Sequence, residues 1–287
     1  MAKKQLWTRD DRYQMNNLSF EIFNNYTTTT ITTEIHQHDF YEVLFFLQGE
    51  ARFFVEGRLY PMQPGDIILS SPGELHRVEV LGDAIPYERI IVWIHPLLMN
   101  ELCAASGLDL HSCFDAMQKN HYHLIHPGGI YKVRIRHVFD ALLIESGQND
   151  FGESALQKCL ISEFLIYLNR AYQSSDQIEE MDVSYHPKID AIVRYINQHL
   201  QDDLSLDFLA GEFFISKYYL TRLFRQYTGE SLHQFILQKR LAVARSLIAG
   251  GSEPIQASLD TGFVNYSHFS KAFRDRYGFP PSSIRTE

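Results

Sequence analysis

The chain has 287 residues, of which 45% are apolar and 21% are charged, and its formal net charge is −9. This length favours two domains, and the composition excludes a disordered or low-complexity protein. No apolar run approaches the ~20 residues that span a bilayer, and the N-terminus lacks the apolar core of a signal peptide. Cys103, Cys113 and Cys159 form no C-x-x-C pair, which is typical of a reduced compartment. We therefore expect a soluble, cytoplasmic protein without a membrane partner.

The acidic charge is concentrated in the first part of the chain. Residues 1–180 carry 14 Lys and Arg against 24 Asp and Glu, whereas residues 181–287 carry 12 against 11. Nucleic acid is disfavoured as a partner of an acidic surface, because phosphate binding needs cations. That argument applies only to the first part, and the second must be judged by where its cations point.

Short β-strands are predicted over roughly the first 95 residues. They are Thr27–Ile35, Tyr41–Leu47, Ala51–Val55, Arg58–Tyr60, Ile67–Ser70 and Tyr87–Ile94. Glycine and proline separate them at intervals of about eight to twelve residues, which indicates a β-sandwich or a small barrel.

After residue 128 the apolar residues recur at helical spacing. Two helices are predicted, one through Ile130, Val133, Val138, Leu142 and Leu143 and one through Leu156, Leu160, Phe164, Ile166 and Leu168. Gly147–Asp150 separates them, so residues 129–175 are predicted to form an αα-hairpin. The hairpin either packs on its own barrel or forms a dimer interface. Residues 176–186 are polar and acidic, which favours a linker.

From Pro187 to residue 287 the chain is predicted to be wholly helical. Ser205 and Ser216 are candidate N-caps of two short helices, and Gly229 ends the second. A long helix over Leu232–Ala249 leads to a second short pair, around Ile255–Thr261 and Tyr266–Tyr277. These patterns predict two helix-turn-helix units, at about 205–229 and 254–278.

The second helix of each unit has one apolar and one polar face. In the first, Leu220, Leu223, Phe224 and Tyr227 share one arc, and the opposite arc carries Lys217, Tyr218, Thr221, Arg222 and Arg225. In the second, Phe269, Ala272 and Phe273 are predicted to be buried, and Ser267, Ser270, Lys271 and Arg274 to be exposed.

Any helix on a protein surface also has an exposed polar face, so one such helix would not distinguish a DNA-reading helix from an ordinary surface helix. The repetition favours DNA. Arg222 and Lys271 are 49 positions apart, the length of one helix pair plus a joining helix. Two such recognition helices could enter successive major-groove segments about 34 Å apart.

At this point the sequence resembles a known family. SLDFLAGEFFISKYYLTRLFRQYTGES (205–231), QKRLAVARSLI (238–248) and GFVNYSHFSKAFRDRYGFPPSSIR (262–285) resemble the first unit, linking helix and second unit of AraC/XylS transcription regulators. The resemblance covers residues 187–285. It implies sequence-specific binding to double-stranded DNA as an activator or, less often, a repressor, with RNA polymerase as a partner.

The resemblance also implies roles for individual residues. Tyr218, Thr221 and Arg222 match base-reading positions of the first recognition helix, and Tyr266, Ser267, Ser270 and Lys271 match those of the second. A guanidinium can bond O6 and N7 of guanine together, so Arg222 is the first candidate for base readout. Lys217, Arg225 and Arg274 complete the predicted DNA-binding set, and the two arginines are expected to grip phosphate.

One short segment departs from the family pattern. Where the family usually has Ile-Ala and then a small apolar residue, this chain has Ala257-Ser258 and Thr261. A smaller and more polar contact there would loosen the second unit. The alternative is a variation in packing.

The first part of the chain resembles the two cupin motifs. They are His36-x-His38-x₃-Glu42-x₆-Gly49 and Gly65-Asp66 followed by Pro72-Gly73-Glu74-Leu75-His76, with one residue more than usual before the proline. Strand alternation is expected to place His36, His38 and Glu42 on one face. His76 would complete a three-histidine, one-carboxylate site for a divalent transition metal. Alternatively, the histidines are hydrogen-bonding pocket residues without a metal.

Aromatic residues are expected to line the same barrel. Phe40, Phe46 and Trp93 would join His36, His38, Glu42 and His76 in an effector pocket, where flat rings beside polar groups favour a carbohydrate. Plain core packing is the alternative for these aromatics. His121, His123 and His126 are predicted to lie in a surface loop.

Together these features predict an α+β multidomain protein. Its parts are a cupin-like β-barrel or sandwich that senses an effector (1–128), the helical dimerisation or packing hairpin (129–175), the linker (176–186) and an all-α DNA-binding domain (187–287). We expect a homodimeric, ligand-responsive transcription factor rather than an enzyme, since no catalytic nucleophile constellation is visible. Two alternatives are a metal-dependent cupin oxygenase or isomerase with a helical appendage, and an adaptor whose basic helices contact a protein.

Overall fold

A computed structural model describes residues 5–6, 14–146, 150–174 and 183–284. The chain divides into two compact units, one ending at Val183 and one beginning at Ser184, with the turns Glu56–Arg58 and Gly73–Leu75 grouped in the second. The predicted hairpin turn and most of the predicted linker lie outside the described residues. The predicted domain bounds therefore stay predictions.

The first unit contains a β-sandwich. Its strands are β1 (Gln5–Leu6), β2 (Phe20–Thr27), β3 (Ile31–Thr32), β4 (Tyr41–Gln48), β5 (Ala51–Val55), β6 (Arg58–Pro61), β7 (Ile67–Ser70), β8 (His76–Val80), β9 (Tyr87–Ile94) and β10 (Leu124–Ile125). One sheet has the order β1-β2-β9-β4-β7-β10 and the other β3-β8-β5-β6. The predicted sandwich is confirmed.

Most predicted strands are confirmed within one residue, but the strand predicted at Thr27–Ile35 is wrong. The long strand there is β2, which ends at Thr27 and pairs with β9 along its whole length, from Phe20–Ile94 to Thr27–Tyr87. Only Ile31–Thr32 of the predicted strand is extended. Cross-strand pairing therefore decides the position, and the β propensity of the threonine run does not.

The outer face of the six-stranded sheet is covered by helices. They are α1 (Pro96–Ser106), α2 (Ser112–Asn120), α3 (Gly129–Glu145) and α4 (Glu153–Ser174). Val43 and Phe45 of the sheet share one core with Phe139 and Phe164 of the two long helices, and the Phe45 and Phe139 rings lie 5.6 Å apart. The predicted hairpin thus packs on its own sandwich, which was the first of the two alternatives given for it.

Helices α1 and α2 were not predicted, although α1 carries sequence signals. His95 caps it by accepting from the Leu97 amide, Pro96 stands at its first position, and Gly107 ends it in a left-handed conformation. None of the helices in the described part of the chain is long and apolar enough to cross a membrane. All three cysteines are free thiols.

Six helices form the second unit. They are α5 (Pro187–Gln198), α6 (Leu206–Glu212), α7 (Lys217–Thr228), α8 (Leu232–Ala249), α9 (Pro254–Asp260) and α10 (Tyr266–Tyr277), followed by a 3₁₀ turn at Pro281–Ser283. The predicted N-caps are confirmed, since Ser205 accepts from the Phe208 amide and Ser216 from the Tyr219 amide. The all-helical prediction is therefore confirmed over the described residues.

Helix α8 belongs to the cores of both helix-turn-helix units. Near its start, Phe235 packs edge-on against Phe224 of α7, with ring centroids 5.3 Å apart. Near its end, Leu241, Ala244 and Ile248 share a buried cluster with Phe263, Phe269 and Phe273. Because one helix is packed into both cores, it holds α7 and α10 in a fixed relation.

The polar substitutions in α9 are accommodated inside the helix. Ala257, Ser258 and Thr261 are all buried. Thr261 Oγ1 donates to the Ala257 carbonyl at 2.8 Å, and Ser258 Oγ donates to the Ile255 carbonyl at 2.7 Å. Both hydroxyls have partners in their own turn, which favours the packing variation over the loosening.

We predict that Gly262→Ala destabilises the second unit. Gly262 has a φ of +82°, and an added Cβ would lie 2.4 Å from the Leu200 carbonyl oxygen. The strained backbone alone costs about 1–3 kcal/mol, and the contact adds to it. Urea unfolding followed by circular dichroism measures the loss.

Gly211→Ala is the matched control. Gly211 lies within α6, and a Cβ there meets nothing within 4 Å. This variant should be more stable than the wild type, by roughly 0.5–1 kcal/mol, because alanine favours a helix. Equal effects of the two substitutions would contradict the backbone argument.

Candidate DNA-binding surface and effector site

Helix α7 presents the predicted first reading face to solvent. It buries Leu220, Leu223 and Phe224, so the opposite arc of the helix is exposed. Tyr218 is 78% exposed there, and Thr221, Arg222 and Arg225 are also exposed. The predicted residues of this helix therefore share one accessible surface.

The cations of the two reading faces differ in their partners. Lys217 forms an ion pair with Asp207 of α6, an acidic partner that sequence reasoning missed. Both side chains are exposed, so the pair stabilises the fold little and can exchange for phosphate. Among the described residues, no acidic side chain forms an ion pair with Arg222, Arg225, Lys271 or Arg274.

Helix α10 gathers its predicted residues around one depression. Asn265 caps the helix by accepting from the Ser267 and His268 amides at 2.8 and 3.2 Å. Phe269 and Phe273 are buried. On the other side, a depression of about 460 Å³ is lined by Tyr266, Ser267, Ser270, Lys271, Arg274 and Asp275. Asp275 was not predicted, and its carboxylate can accept only from a base amino group such as N4 of cytosine.

A buried polar cluster lies inside the β-sandwich. Glu42 stands on β4, His76 begins β8, and His36 and His38 lie in the segment before β4. The prediction that His36, His38 and Glu42 alternate on one strand is wrong, because His36 forms only an isolated bridge, opposite His76. Tertiary pairing, and not strand alternation, brings these side chains together.

Three members of this cluster point at one another. His38 Nε2 lies 3.6 Å from Glu42 Oε2, and His76 Nε2 lies 3.7 Å from Glu42 Oε1. Their exposed fractions are only 5%, 6% and 1% for His38, Glu42 and His76. Trp93 Nε1 donates to Glu42 Oε2 at 2.5 Å. The carboxylate is therefore held between two imidazoles and an indole.

The protonation of Glu42 follows from its neighbours. Burial by itself raises the pKa of this carboxyl, but the nearby His38 side chain and the charges of the surrounding imidazoles outweigh it and lower the pKa to about 2. Glu42 is therefore an anion across the physiological range.

His36 lies beside His76. Its Nδ1 lies 3.0 Å from the Glu34 carbonyl oxygen, and its ring contacts the His76 ring edge-on at 4.3 Å. Burial and the nearby His76 lower its pKa well below the usual value, so the neutral form is favoured. The ligand-atom cluster among the described residues comprises His38, Glu42 and His76 without His36. The prediction of a metal bound by all four residues stays a prediction.

The predicted pocket aromatics have different surroundings. Phe40 is fully buried, with its ring stacked on His38 at 3.8 Å. Phe46 is also fully buried and neighbours Tyr87, at 5.8 Å. Trp93 is half-buried and lies 4.6 Å from Phe40. Phe40 and Phe46 thus pack the interior, and Trp93 is partly exposed.

The histidines predicted to lie on the surface are not all there. His123 is buried, and its backbone amide donates to the Tyr60 hydroxyl at 3.2 Å. His126 is partly exposed and pairs with Asp66 at 2.7 Å. Neither belongs to the polar cluster.

Comparison with known proteins identifies both units. Residues 17–165 match the AraC-like ligand binding domain, and residues 209–287 match a helix-turn-helix domain. The chain belongs to the AraC family. It is a sequence-specific DNA-binding transcription factor, with a ligand-binding domain followed by two helix-turn-helix units, and the resemblance found in the sequence is confirmed.

Individual relatives of this AraC-family protein are transcriptional regulators. It is 21% identical to the HTH-type transcriptional activator RhaS of Escherichia coli O157:H7, over 87% of this chain and 86% of that protein. It is 32% identical to the probable transcriptional regulator LumQ of Photobacterium leiognathi, over 51% and 52%. For the regulatory protein PocR of Salmonella typhimurium the identity is 29%, and the chain spans less than half of its length, 45%.

This chain is also similar to a chain in a solved structure. Apo ToxT from Vibrio cholerae strain SCE256 is 17% identical and is covered over 97% of its length, with a TM-score of 0.45.

We predict that Arg222→Ala weakens binding to the preferred DNA site by ~1–3 kcal/mol and relaxes specificity at one base pair. The operator is first selected from a random duplex pool with the wild-type chain, and fluorescence anisotropy then measures affinity. Arg225→Ala should instead weaken all sequences alike and reduce the salt dependence of binding, as loss of a phosphate contact does.

Arg276→Ala is the charge-matched control. Arg276 stands on α10 but about half a turn from Ser267, so it lies outside the reading face. The affinity of the Arg276→Ala variant for the selected operator should stay near that of the wild type. If Arg222→Ala also left the affinity unchanged, the assignment of α7 as a reading helix would fail.

Proposed function

We propose that this AraC-family protein is a cytoplasmic transcription activator that responds to a small molecule bound inside its β-sandwich. The observation that carries the proposal is the buried cluster of His38, Glu42 and His76 within the ligand-binding domain of a chain that also has two recognition helices. Burying polar groups costs free energy unless they are hydrogen-bonded, and burying a charge costs more unless it is paired. An effector with several hydroxyl groups would supply partners.

A carbohydrate is the effector class to test first. Glu42 accepts hydrogen bonds, and the half-buried Trp93 offers apolar ring surface beside it. Sugars combine hydroxyl donors with apolar C–H faces, so this pairing of groups suits them. We place His36 and Trp93 at the rim of this site.

Activation is favoured over repression by the relative that aligns over most of the chain. RhaS is described as an activator. In this proposal the protein acts with RNA polymerase, and effector binding shifts the population of states that hold the DNA-binding units at one half-site spacing.

We further propose a homodimer formed through the outer face of the αα-hairpin. Ile130, Val133 and Ile144 of α3 are 59%, 66% and 52% exposed. They recur at intervals close to whole turns, and so lie along one stripe of the helix. Exposed apolar residues in such a row are typical of a protein interface.

Thermal unfolding of the full-length chain against a panel of neutral sugars tests the effector class. A ligand at about 100 times its dissociation constant adds roughly 2.7 kcal/mol, which raises the unfolding temperature visibly. Glu42→Gln should reduce the shift caused by an active sugar, because the amide loses the negative charge and keeps only one acceptor oxygen. If no sugar in the panel shifts the unfolding temperature at concentrations up to the millimolar range, this effector class is excluded.

The enzyme alternative makes opposite predictions. A metal-dependent oxygenase or isomerase would turn over a substrate, lose turnover in His38→Ala and select no DNA from a random pool. The adaptor alternative predicts DNA binding that hardly depends on sequence, whereas a specific regulator needs a large affinity ratio. Selection of a defined operator by the wild-type chain would exclude both.

We predict that Val133→Asp dissociates the dimer, because a charge would be buried at the interface. Analytical ultracentrifugation at micromolar concentration measures the mass of the wild-type and variant chains. Leu81→Asp is the control, since Leu81 is also exposed but lies in the loop after β8. A monomeric wild-type chain, or equal dissociation in both variants, would contradict the proposed interface.

A further inference from the structure

The turn inside each helix-turn-helix unit is closed by the same pair of backbone hydrogen bonds. After α6, the amides of Phe214 and Ile215 donate to carbonyls three and five positions earlier in the chain. After α9, the amides of Gly262 and Phe263 do the same. This pair of bonds is a Schellman motif, and the residue at its left-handed position is usually a glycine.

The first unit places a phenylalanine where the second has that glycine. Phe214 has a φ of +52°, and Gly262 has a φ of +82°. A left-handed backbone is unfavourable for a residue with a bulky side chain. Phe214 gains no burial in exchange, because it is 92% exposed. Strained residues of this kind cluster at sites of function, so the exposed ring requires an explanation other than packing.

Four more rings lie on α5, on α6 and on the residues that directly follow these helices. The Tyr195 ring lies 5.8 Å from Phe213, 6.1 Å from Phe208 and 4.0 Å from His199. All four residues keep some exposure to solvent. Together with Phe214, which follows Phe213 in the chain, they are named the aromatic patch. Contiguous exposed apolar groups mark interaction sites, and aromatic residues are enriched at protein interfaces.

The charges around the aromatic patch favour a basic partner. Desolvation and the nearby carboxylates of Glu212 and Asp202 raise the pKa of Tyr195, so two acidic groups lie close to the rings. Lys188 donates to the Phe213 carbonyl at 3.3 Å. Carboxylates repel DNA phosphates, and they also repel the acidic first part of a second copy of this chain. Aromatic faces attract arginine and lysine, so rings beside carboxylates suit a basic protein segment.

We propose that the aromatic patch docks a basic segment of RNA polymerase, with the Phe214 ring as a principal contact. The inference rests on the proposed function, an activator that acts with RNA polymerase. Because polymerase itself binds DNA, it carries basic surfaces. The patch belongs to α5, α6 and the turn that follows, whereas the predicted reading faces belong to α7 and α10. DNA and polymerase therefore occupy different surfaces of the unit.

The test measures the binding of polymerase to the operator-bound chain. A labelled operator duplex, selected with the wild-type chain, is saturated with the full-length protein. Purified RNA polymerase holoenzyme is then titrated while fluorescence anisotropy is recorded. We expect polymerase to bind this complex more tightly than the bare duplex. Phe214→Gly should weaken binding to the complex by about tenfold or more, as truncation of an aromatic anchor does.

Phe214→Gly is suited to the test because the variant is expected to fold. Glycine occupies the same turn position in the second unit, so the variant should unfold at a temperature no lower than that of the wild type. Its affinity for the operator should be unchanged. Phe208→Ala provides a second variant on α6. Ile255→Ala is the matched control, since Ile255 is 60% exposed on α9, the corresponding helix of the second unit.

Three results would overturn the proposal. Polymerase that binds the operator-bound wild-type chain no more tightly than the bare duplex would exclude a docking surface. Equal effects of Phe208→Ala and Ile255→Ala would exclude the aromatic patch as its location. A loss of operator affinity in Phe214→Gly as large as its loss of polymerase binding would assign the ring to DNA.

Transcription from a promoter that carries the operator, measured with and without the sugar panel, separates this inference from the proposed function. A wild-type chain that activates, with Phe214→Gly equally active, would reject the aromatic patch and retain the activator. A wild-type chain that never activates would reject the proposed function, while the polymerase titration still decides on the patch.

Discussion

The organisation of the second unit depends on the packing of one helix into two cores. Helix α8 contacts Phe224 through Phe235 and closes a second cluster around Phe269 and Phe273. Close-packed protein interiors transmit displacement and do not absorb it. The two recognition helices are therefore held in a fixed relation to each other, although each is only twelve residues long. Gly262 completes this arrangement, because only a residue without a Cβ fits beside the Leu200 carbonyl.

In the first unit, the two faces of the six-stranded sheet have different surroundings: one is apolar and the other holds the polar cluster. Val43 and Phe45 of β4 enter the apolar core under the helices, and Glu42 of the same strand enters the sandwich interior. Successive residues of a strand point to opposite faces, so one strand can serve both environments. The helix-covered face supplies the stability that allows the other face to hold a buried anion. Burial of Glu42 would be unfavourable without the imidazoles and the Trp93 indole around it.

Sequence reasoning succeeded where local chemistry decides structure. The caps Ser205 and Ser216, the glycine stops and the apolar spacing of α7 and α10 all act within a few residues, and each was confirmed. The predictions were wrong where the structure depends on pairing between residues that are far apart in the sequence. The position of β2 depends on β9, some 65 residues later, and the burial of His123 depends on Tyr60. Helix α1 had adequate local signals, and its capping by His95 and Pro96 could have been found.

The sequence by itself determined the two-unit plan, the helix-turn-helix pair and the family, because spacing and capping are local and repeated. It also supplied the residue types of the polar cluster. Only the tertiary structure decided which of those residues meet: His38, Glu42 and His76 converge, and His36 lies opposite His76. The same holds for Lys217, whose partner Asp207 lies on another helix. Side chains that belong to different strands or helices are brought together by packing and pairing across the fold, and these are not encoded in any single stretch of chain.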